Sequence, residues 1–167
     1  MEKRVIKSTK WACILALVLW SLFALVYVLR LLRYCGLISF NIYCGFDIAP
    51  IAWCEDDPEF VTVQWVELIG YAVTTFCLLC LSLRLILMTR RGLVSGKVFT
   101  ARNARILMML VPVVFFQILF DDNLAILYGS RQLYVGSTPF TSSLVTLIVA
   151  MLYRLAVIES EENSLTI

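Results

Sequence analysis

The chain has 167 residues and a net charge of +2; 61% of its residues are hydrophobic and 16% are charged. Soluble globular proteins have roughly 45–50% apolar and about 25% charged residues. This chain could not cover its apolar surface with polar groups in water, so we expect a membrane protein. The sequence contains no histidine, the commonest general base and metal ligand. We predict no enzymatic activity, no cofactor and no metal site.

Four apolar stretches are long enough to cross a bilayer. The hydrocarbon core is about 30 Å thick, which needs about 20 helical residues at 1.5 Å each. The first stretch is too long and too aromatic for a cleaved signal peptide, so we expect it to be retained. The sequence predicts an all-α, polytopic protein with one domain and four transmembrane helices, at about residues 11–33, 65–88, 101–122 and 140–158.

The segments between these helices differ in character. We predict an outer loop at residues 34–64, which includes a stretch of β-like or interfacial composition at Phe60–Val66, and a second outer loop at 123–139. Residues 89–100 form a basic connection, which we call the hinge, and residues 159–167 form an acidic tail. The pattern leaves open whether the third helix stops near residue 122 or continues to Tyr128.

Charge is distributed unevenly between the two sides of the predicted bundle. The side of the hinge and the termini holds all Lys and Arg residues except Arg30, Arg33 and Arg131. The opposite side holds all acidic residues except Glu2, Glu159, Glu161 and Glu162. By the positive-inside rule, both termini and the hinge are predicted to lie in the cytoplasm, an N-in/C-in topology.

The hinge ends in a helix start signal. Thr100 can accept hydrogen bonds from the free N–H groups of the following turn, and Asn103 occupies the third helical position, where it can complete the cap. The arginines of this region could simply attract anionic lipid and fix the topology. That explanation does not account for the two glycines, Gly92 and Gly96, or for the cap.

Charged residues also occur at the outer ends of three helices. Arg30 lies about 28 Å from the inner end of the first helix at 1.5 Å per residue. Glu67, Asp121 and Asp122 are expected at a similar height. Charge within a membrane is costly and is usually paired or functional. We favour a structural clamp over an ion path, formed by a polar cluster of Arg30, Glu67, Asp121 and Asp122.

Cysteines allow two further interpretations. Cys77 and Cys80 are separated by two leucines within the second helix, and pairs of this kind meet a quinone in four-helix membrane oxidoreductases. Cysteine is also an ordinary small residue in membrane helices, and we favour that packing role. In the outer loop, where disulfides persist, we expect Cys44 to pair with Cys54; the alternative that these two and Cys35 stay free remains open.

Two segments resemble one protein family. The stretch from Gly96 to Thr100, GKVFT, followed by Asn103, resembles the Gly-x-x-Phe-Thr-x-x-Asn signature in the central cytoplasmic loop of domain of unknown function 2975. The closing stretch from Glu161 to Ile167, EENSLTI, resembles the acidic end of that family, which finishes in Leu-Thr-Val or Leu-Thr-Ile. Asn163-Ser164 departs from the usual Gln or Glu followed by Asp, and the cysteine-bearing outer loop is not a family feature.

Members of this family are bacterial four-helix membrane proteins, often encoded beside a small Cro-like helix-turn-helix DNA-binding protein. The resemblance therefore implies a multi-pass protein of the bacterial cytoplasmic (inner) membrane. It also implies a non-enzymatic regulatory or sensory partner of a helix-turn-helix transcription factor, with no direct contact to nucleic acid. The implied partner-binding residues are Lys97, Phe99, Thr100, Arg102, Asn103, Arg105, Glu161, Glu162, Leu165 and Thr166.

Antiparallel packing of the third and fourth helices would bring the acidic tail close to the basic hinge. We therefore expect the tail to fold back over Phe99 and Thr100, with Leu165 or Ile167 near the Phe99 ring. Two other functions remain as alternatives: a membrane immunity or stress protein that acts against a peptide or membrane perturbant, and a thiol oxidoreductase that uses Cys77 and Cys80. The sequence leaves a homo-oligomer open.

Overall fold

The computed structural model describes residues 2–38, 50–95 and 99–165, with side chains from residue 7 to residue 162 of these ranges. Within them the chain is helical and contains no strand. The elements are α1 (Glu2–Tyr34), α2 (Pro58–Ser95), α3 (Ala101–Asp122), the 3-10 helix η1 (Leu124–Tyr128) and α4 (Thr138–Leu165). Each α-helix includes a segment long and apolar enough to cross a membrane. The predicted all-α, four-helix, multi-pass architecture is therefore confirmed.

Each helix packs against its neighbour in the sequence. Contacts join α1 to α2, α2 to α3 and α3 to α4, and among the described residues no Cα atom of α1 lies within 8 Å of α3 or α4. The helices thus form an open row with α1 and α4 at its edges. We call the end that holds both termini and the α2–α3 connection the basic end, and the opposite end, which holds η1, the acidic end.

Two apolar cores stabilise this row. The core nearer the acidic end joins α1, α2 and η1 through Tyr27, Tyr71 and Leu127. The core nearer the basic end joins α3 to α4 through Leu107 and Ala150, with leucines of α2 packed against it. The remaining apolar side chains are largely exposed along the helices, as expected where the solvent is lipid.

The predicted start of the second helix was wrong. α2 begins at Pro58 and not near residue 65, so the segment Phe60–Val66 is helical and the first connection ends at Asp57. The Oδ1 atom of Asp57 accepts a hydrogen bond from the N–H of Phe60 at 3.2 Å, which caps the helix. Pro58 occupies the first helical position, where its fixed φ angle is favourable and its missing N–H is not needed.

Other helices also extend beyond the predicted spans. α1 begins at Glu2 and not near residue 11, α2 continues through the first part of the hinge to Ser95, and α4 occupies Thr138–Leu165 and not 140–158. Most of the predicted tail is therefore helical. α3 has the expected bounds, Ala101–Asp122. Each of the two alternatives for its end is partly correct, because the α-helix stops at Asp122 and a 3-10 helix follows to Tyr128.

Candidate functional site

The residues expected to bind a partner centre on the start of α3. Thr100 has an extended backbone (φ −134°, ψ 143°), and its Oγ1 atom accepts a hydrogen bond from the N–H of Asn103 at 3.3 Å. The N–H of Ala104 donates to the carbonyl of Thr100 at 3.1 Å. Thr100 is thus the N-cap that the sequence motif predicts.

Asn103 has a role that was not predicted. Its side chain is 1% exposed, and Nδ2 donates a hydrogen bond to the Oη atom of Tyr153 on α4 at 3.1 Å. The amide therefore joins α3 to α4. The available sequence signal was a polar residue on the apolar face of α3, together with a tyrosine near the same end of the fourth apolar stretch.

Phe99 lies on this interhelical contact. Its ring packs against the ring of Tyr153, with centroids 5.3 Å apart and planes inclined at 54°. Phe99 is nevertheless 48% exposed. Because Asn103 holds the hydroxyl of Tyr153, the Phe99 ring lies on a positioned aromatic base and keeps its remaining surface accessible.

Positive charge follows Phe99 in the sequence, at the start of α3. Arg102 and Arg105 lie in the first two turns of α3, and both are exposed. A groove of about 410 Å³ between α3 and α4 is lined by Arg105 and, from α4, by Arg154 and Glu161. We call the surface formed by Phe99, Arg102, Arg105, Tyr153 and Glu161 the Phe99 corner.

The expected return of the tail over this corner is wrong for the described part of the chain. α4 continues as a helix to Leu165 and carries Glu161 and Glu162 on exposed positions. A continuing helix does not turn back over Phe99. Glu161 instead lines the groove between α3 and α4 from the α4 side. The side chain of Leu165, and the whole of Thr166 and Lys97, lie outside the described residues.

The polar cluster predicted at the acidic end is only partly assembled. The Nη1 atom of Arg30 donates to Oδ1 of Asp121 at 3.2 Å, forming an ion pair, and to Oη of Tyr71 at 3.1 Å. The Arg30 side chain is 13% exposed, whereas that of Asp121 is 45% exposed. Arg30 therefore links α1 to both α2 and α3, and Tyr71 is a member that the sequence analysis missed.

Glu67 and Asp122 do not take part in this ion pair, so the prediction of one four-residue cluster was wrong. Among the described side chains, neither carboxylate has a Lys or Arg nitrogen within 4.0 Å. Asp122 is exposed, whereas Glu67 is 5% exposed. Glu67 lies on the buried face of α2 together with Gln64 and Thr75. One acid is thus buried within the helix row and the other lies on its surface.

Buried amides hold the acidic end together, and the sequence analysis did not find them. Gln64 is 0% exposed. Its Nε2 atom donates to the carbonyl oxygens of Ala52 at 2.9 Å and Ile126 at 3.2 Å, and its Oε1 atom accepts from the N–H of Cys54 at 3.3 Å. One side chain of α2 thus fastens the preceding loop and η1 to the helix row.

Asn123 fastens the second connection at the same end. Its Nδ2 atom donates to the carbonyl of Tyr134 at 2.8 Å, and its Oδ1 atom accepts from the N–H of the same residue at 2.7 Å. Nδ2 also donates to the carbonyl of Leu119 at 2.7 Å. The clamped loop presents three apolar side chains with high exposure: Leu133 (71%), Tyr134 (61%) and Val135 (59%).

The cysteines are free thiols within the part of the chain that the structure describes. Cys77 is half-buried on α2, Cys80 is exposed, and Cys54 is half-buried in the first connection. Cys44 lies outside the described residues, so its pairing with Cys54 stays a prediction. Over the same described ranges, no three His, Cys, Asp or Glu residues are grouped so that they could hold a metal ion.

Comparison of the chain with protein-family models, curated proteins and solved structures gave no match. The family membership implied by the hinge and tail motifs therefore stays a prediction.

Proposed function

We propose that the chain is a non-enzymatic multi-pass protein of the bacterial inner membrane, whose basic end faces the cytoplasm and binds a regulatory protein. The observation that carries this proposal is the Phe99 corner. It combines a 48% exposed aromatic ring, a second ring beneath it and two exposed arginines, Arg102 and Arg105. Aromatic residues and arginine are enriched among the side chains that dominate binding energy at protein interfaces.

The geometry suits a partner that has an apolar pocket with an acidic rim. The pocket would cover the exposed face of Phe99, and the rim would meet the arginines beside it, because complementary charge fixes orientation and accelerates encounter. Glu161 on the α4 side is negatively charged and would repel a partner surface that is acidic throughout. The partner class we propose is a helix-turn-helix regulator, as the resemblance of the hinge and tail motifs implies.

The cytoplasmic placement of the basic end follows from the distribution of Lys and Arg. Reporter fusions at Lys10, Gly92 and Ile167 are expected to report the cytoplasm, and fusions at Asp57 and Gln132 the opposite side. A cytoplasmic signal from the Asp57 fusion would contradict the proposed orientation.

Partner binding is tested by one substitution and its matched control. Phe99→Ala removes the exposed ring of the Phe99 corner, whereas Phe116→Ala removes a ring of the same 48% exposure from the membrane-spanning part of α3. After crosslinking in the native host, helix-turn-helix proteins that copurify with the full chain are quantified by mass spectrometry. We expect Phe99→Ala to lower their recovery about tenfold or more and Phe116→Ala to leave it unchanged.

Deletion of residues 161–167 gives an independent test of the same surface. It shortens α4 at its C-terminal end and removes Glu161 from the Phe99 corner, and it starts after the predicted span at residues 140–158. We expect insertion and folding to persist while recovery of the regulator falls. If both variants recover it as the unmodified chain does, or if the unmodified chain recovers no such protein, the regulatory function is contradicted.

A membrane immunity or stress protein remains a second candidate, because of the clamped loop at the acidic end. Leu133 and Val135 are held in exposed positions by the hydrogen bonds of Asn123. Such a surface could meet a membrane-active peptide from the opposite side. This function predicts that Leu133→Ser with Val135→Ser abolishes protection against a pore-forming peptide, whereas Phe99→Ala retains it.

A further inference from the structure

A second groove at the basic end lies between α2 and α3 and has a volume of about 410 Å³. One part of its wall is apolar and includes Leu83, Leu87 and Met88. The other part is cationic and is formed by three arginines: Arg84, Arg91 and Arg102. We call it the arginine groove. It shares Arg102 with the Phe99 corner, and its other lining residues belong to α2.

The groove follows an exposed stripe of α2. Cys80, Arg84, Leu87 and Arg91 recur at the spacing of one helix face, and all four are exposed. The apolar residues therefore begin within the membrane-spanning part of the helix, and the charge increases toward the basic end. From Cys80 to Arg91 the groove extends about 16 Å along the helix at 1.5 Å per residue.

The depth of the arginines matches that of lipid headgroups. Arg84 lies about 25 Å along α2 from Glu67, close to the thickness of the hydrocarbon core. Arg91 lies about 10 Å further along the helix, so the pair spans the headgroup layer, which is roughly 5–8 Å thick on each side. Arg102 reaches the same region from the first turn of α3.

The charges of this groove lack acidic partners in the described part of the chain, where no carboxylate lies within 4.0 Å of Arg84, Arg91 or Arg102. The sequence extends this finding, because residues 68–120 contain neither Asp nor Glu. The neighbouring groove between α3 and α4 has a similar volume of about 410 Å³ but includes Glu161. The arginine groove is therefore selective for negative charge in a way that its neighbour is not.

We propose that the arginine groove binds one anionic phospholipid of the leaflet at the basic end. Its phosphate would lie among Arg84, Arg91 and Arg102, and an acyl chain would follow Leu87 and Leu83 toward Cys80. Guanidinium groups suit phosphate because their N–H donors match its oxygens in geometry and charge. The apolar half of the groove distinguishes a lipid from a soluble anion. This inference is independent of the proposed function, because lipid binding is measured without any protein partner.

The experiment measures lipid retention by the purified full chain with native mass spectrometry in detergent. The probes are phosphatidylglycerol and phosphatidylcholine with identical acyl chains. We expect phosphatidylglycerol to bind at least tenfold more tightly. Changing Arg84, Arg91 and Arg102 together to Gln is expected to lower its affinity about 100-fold, since each cation near the headgroups contributes roughly fivefold.

The matched control removes the same charge from the same end, outside the groove, by changing Arg90, Arg105 and Arg154 together to Gln. We expect this variant to lose less than fivefold in affinity. An equal loss in both triple variants, or no loss in either, would overturn the proposal, because binding would then be diffuse or absent. Displacement of the lipid by a millimolar excess of inorganic phosphate would also overturn it, in favour of a soluble anion.

All three arginines of the groove are exposed, so their replacement should not prevent folding. If the triple variant nevertheless fails to fold, the single change Arg91→Gln decides the question. It is expected to lower phosphatidylglycerol affinity about fivefold and to leave phosphatidylcholine affinity unchanged. Unchanged phosphatidylglycerol affinity in this folded variant would contradict the site.

Discussion

The two ends of the helix row are stabilised in opposite ways. At the acidic end, Gln64 and Asn123 are buried and each binds backbone groups of a connecting segment, and ion pairs join Arg30 to Asp121 and Arg131 to Asp57. At the basic end, the hydrogen bond from Asn103 to Tyr153 joins α3 to α4, and several arginines are exposed. The acidic end is thus fastened within the chain, whereas the basic end keeps its charge and its Phe99 ring accessible to other molecules.

The largest expected effect on stability comes from Gln64→Leu. This change removes three hydrogen bonds to backbone groups and leaves buried donors and acceptors unsatisfied, at about 1–3 kcal/mol each. We expect the free energy of unfolding to fall by about 3 kcal/mol or more, measured by denaturant titration in micelles. Gln132→Leu, at an exposed position of the same end, is the control and should change it by less than about 0.5 kcal/mol.

One asparagine at each end of the helix row allows the effect of the same substitution on stability to be compared between the ends. Asn123→Ala removes three hydrogen bonds and is expected to lower the free energy of unfolding by about 2–3 kcal/mol. The carbonyl and the N–H of Tyr134 both lose their hydrogen-bond partner in this variant. Asn103→Ala removes the hydrogen bond to the Tyr153 hydroxyl and is expected to cost about 1 kcal/mol. Unfolding of the two variants under identical conditions compares them. A larger cost for Asn103→Ala would reverse the proposed difference between the ends.

The Arg30–Asp121 ion pair is expected to contribute less. Asp121 is 45% exposed, so water can solvate its carboxylate after Arg30 is removed. We expect a coupling free energy of about 1 kcal/mol in a double-mutant cycle of Arg30→Leu and Asp121→Leu. Arg30→Leu should be the more damaging single change, because Arg30 is 13% exposed and also binds Tyr71. Strict additivity of the two changes would contradict a coupled pair.

The smallest expected effect on stability is that of Phe99→Ala. Phe99 is 48% exposed, and changes at exposed positions usually lie within about 0.5 kcal/mol. Thermal unfolding of the purified variant should therefore match that of the unmodified chain. If Phe99→Ala destabilises the protein as much as Gln64→Leu does, the Phe99 ring is a core residue and not an accessible contact surface.

The sequence predicts the helices well where the physical signal is local. The α3 bounds follow from the Thr100 cap and from the polar residues after Phe120. The start of α2 differs from the prediction because Asp57 caps the helix and Pro58 begins it, although the composition of Phe60–Val66 is β-like. The other helices extend beyond the predicted spans because apolar composition marks only the segment within the hydrocarbon, while helices continue into the polar layers on both sides.

The sequence predicts a contact between side chains where their heights along the helices decide it. The fixed rise per residue brings Arg30 and Asp121 to one level, and the structure pairs them. Tyr71 takes the place of Glu67 because it lies one turn further along the same buried face of α2, so the rise per residue locates the cluster only to within a turn. The Gln64 clamp could not be anticipated, because its partners are backbone groups of Ala52, Cys54 and Ile126, which no side-chain pattern marks.

We propose that the basic end is the surface through which this protein meets other proteins. The most direct test places the photo-crosslinking residue benzoylphenylalanine at Phe99 or at Tyr134, two exposed aromatic positions at opposite ends. After irradiation of native host cells, crosslinked proteins are identified by mass spectrometry. We predict a cytoplasmic helix-turn-helix protein among the adducts from position 99 and none from position 134. Adducts to extracytoplasmic components from position 134, with no cytoplasmic protein from position 99, would contradict the account.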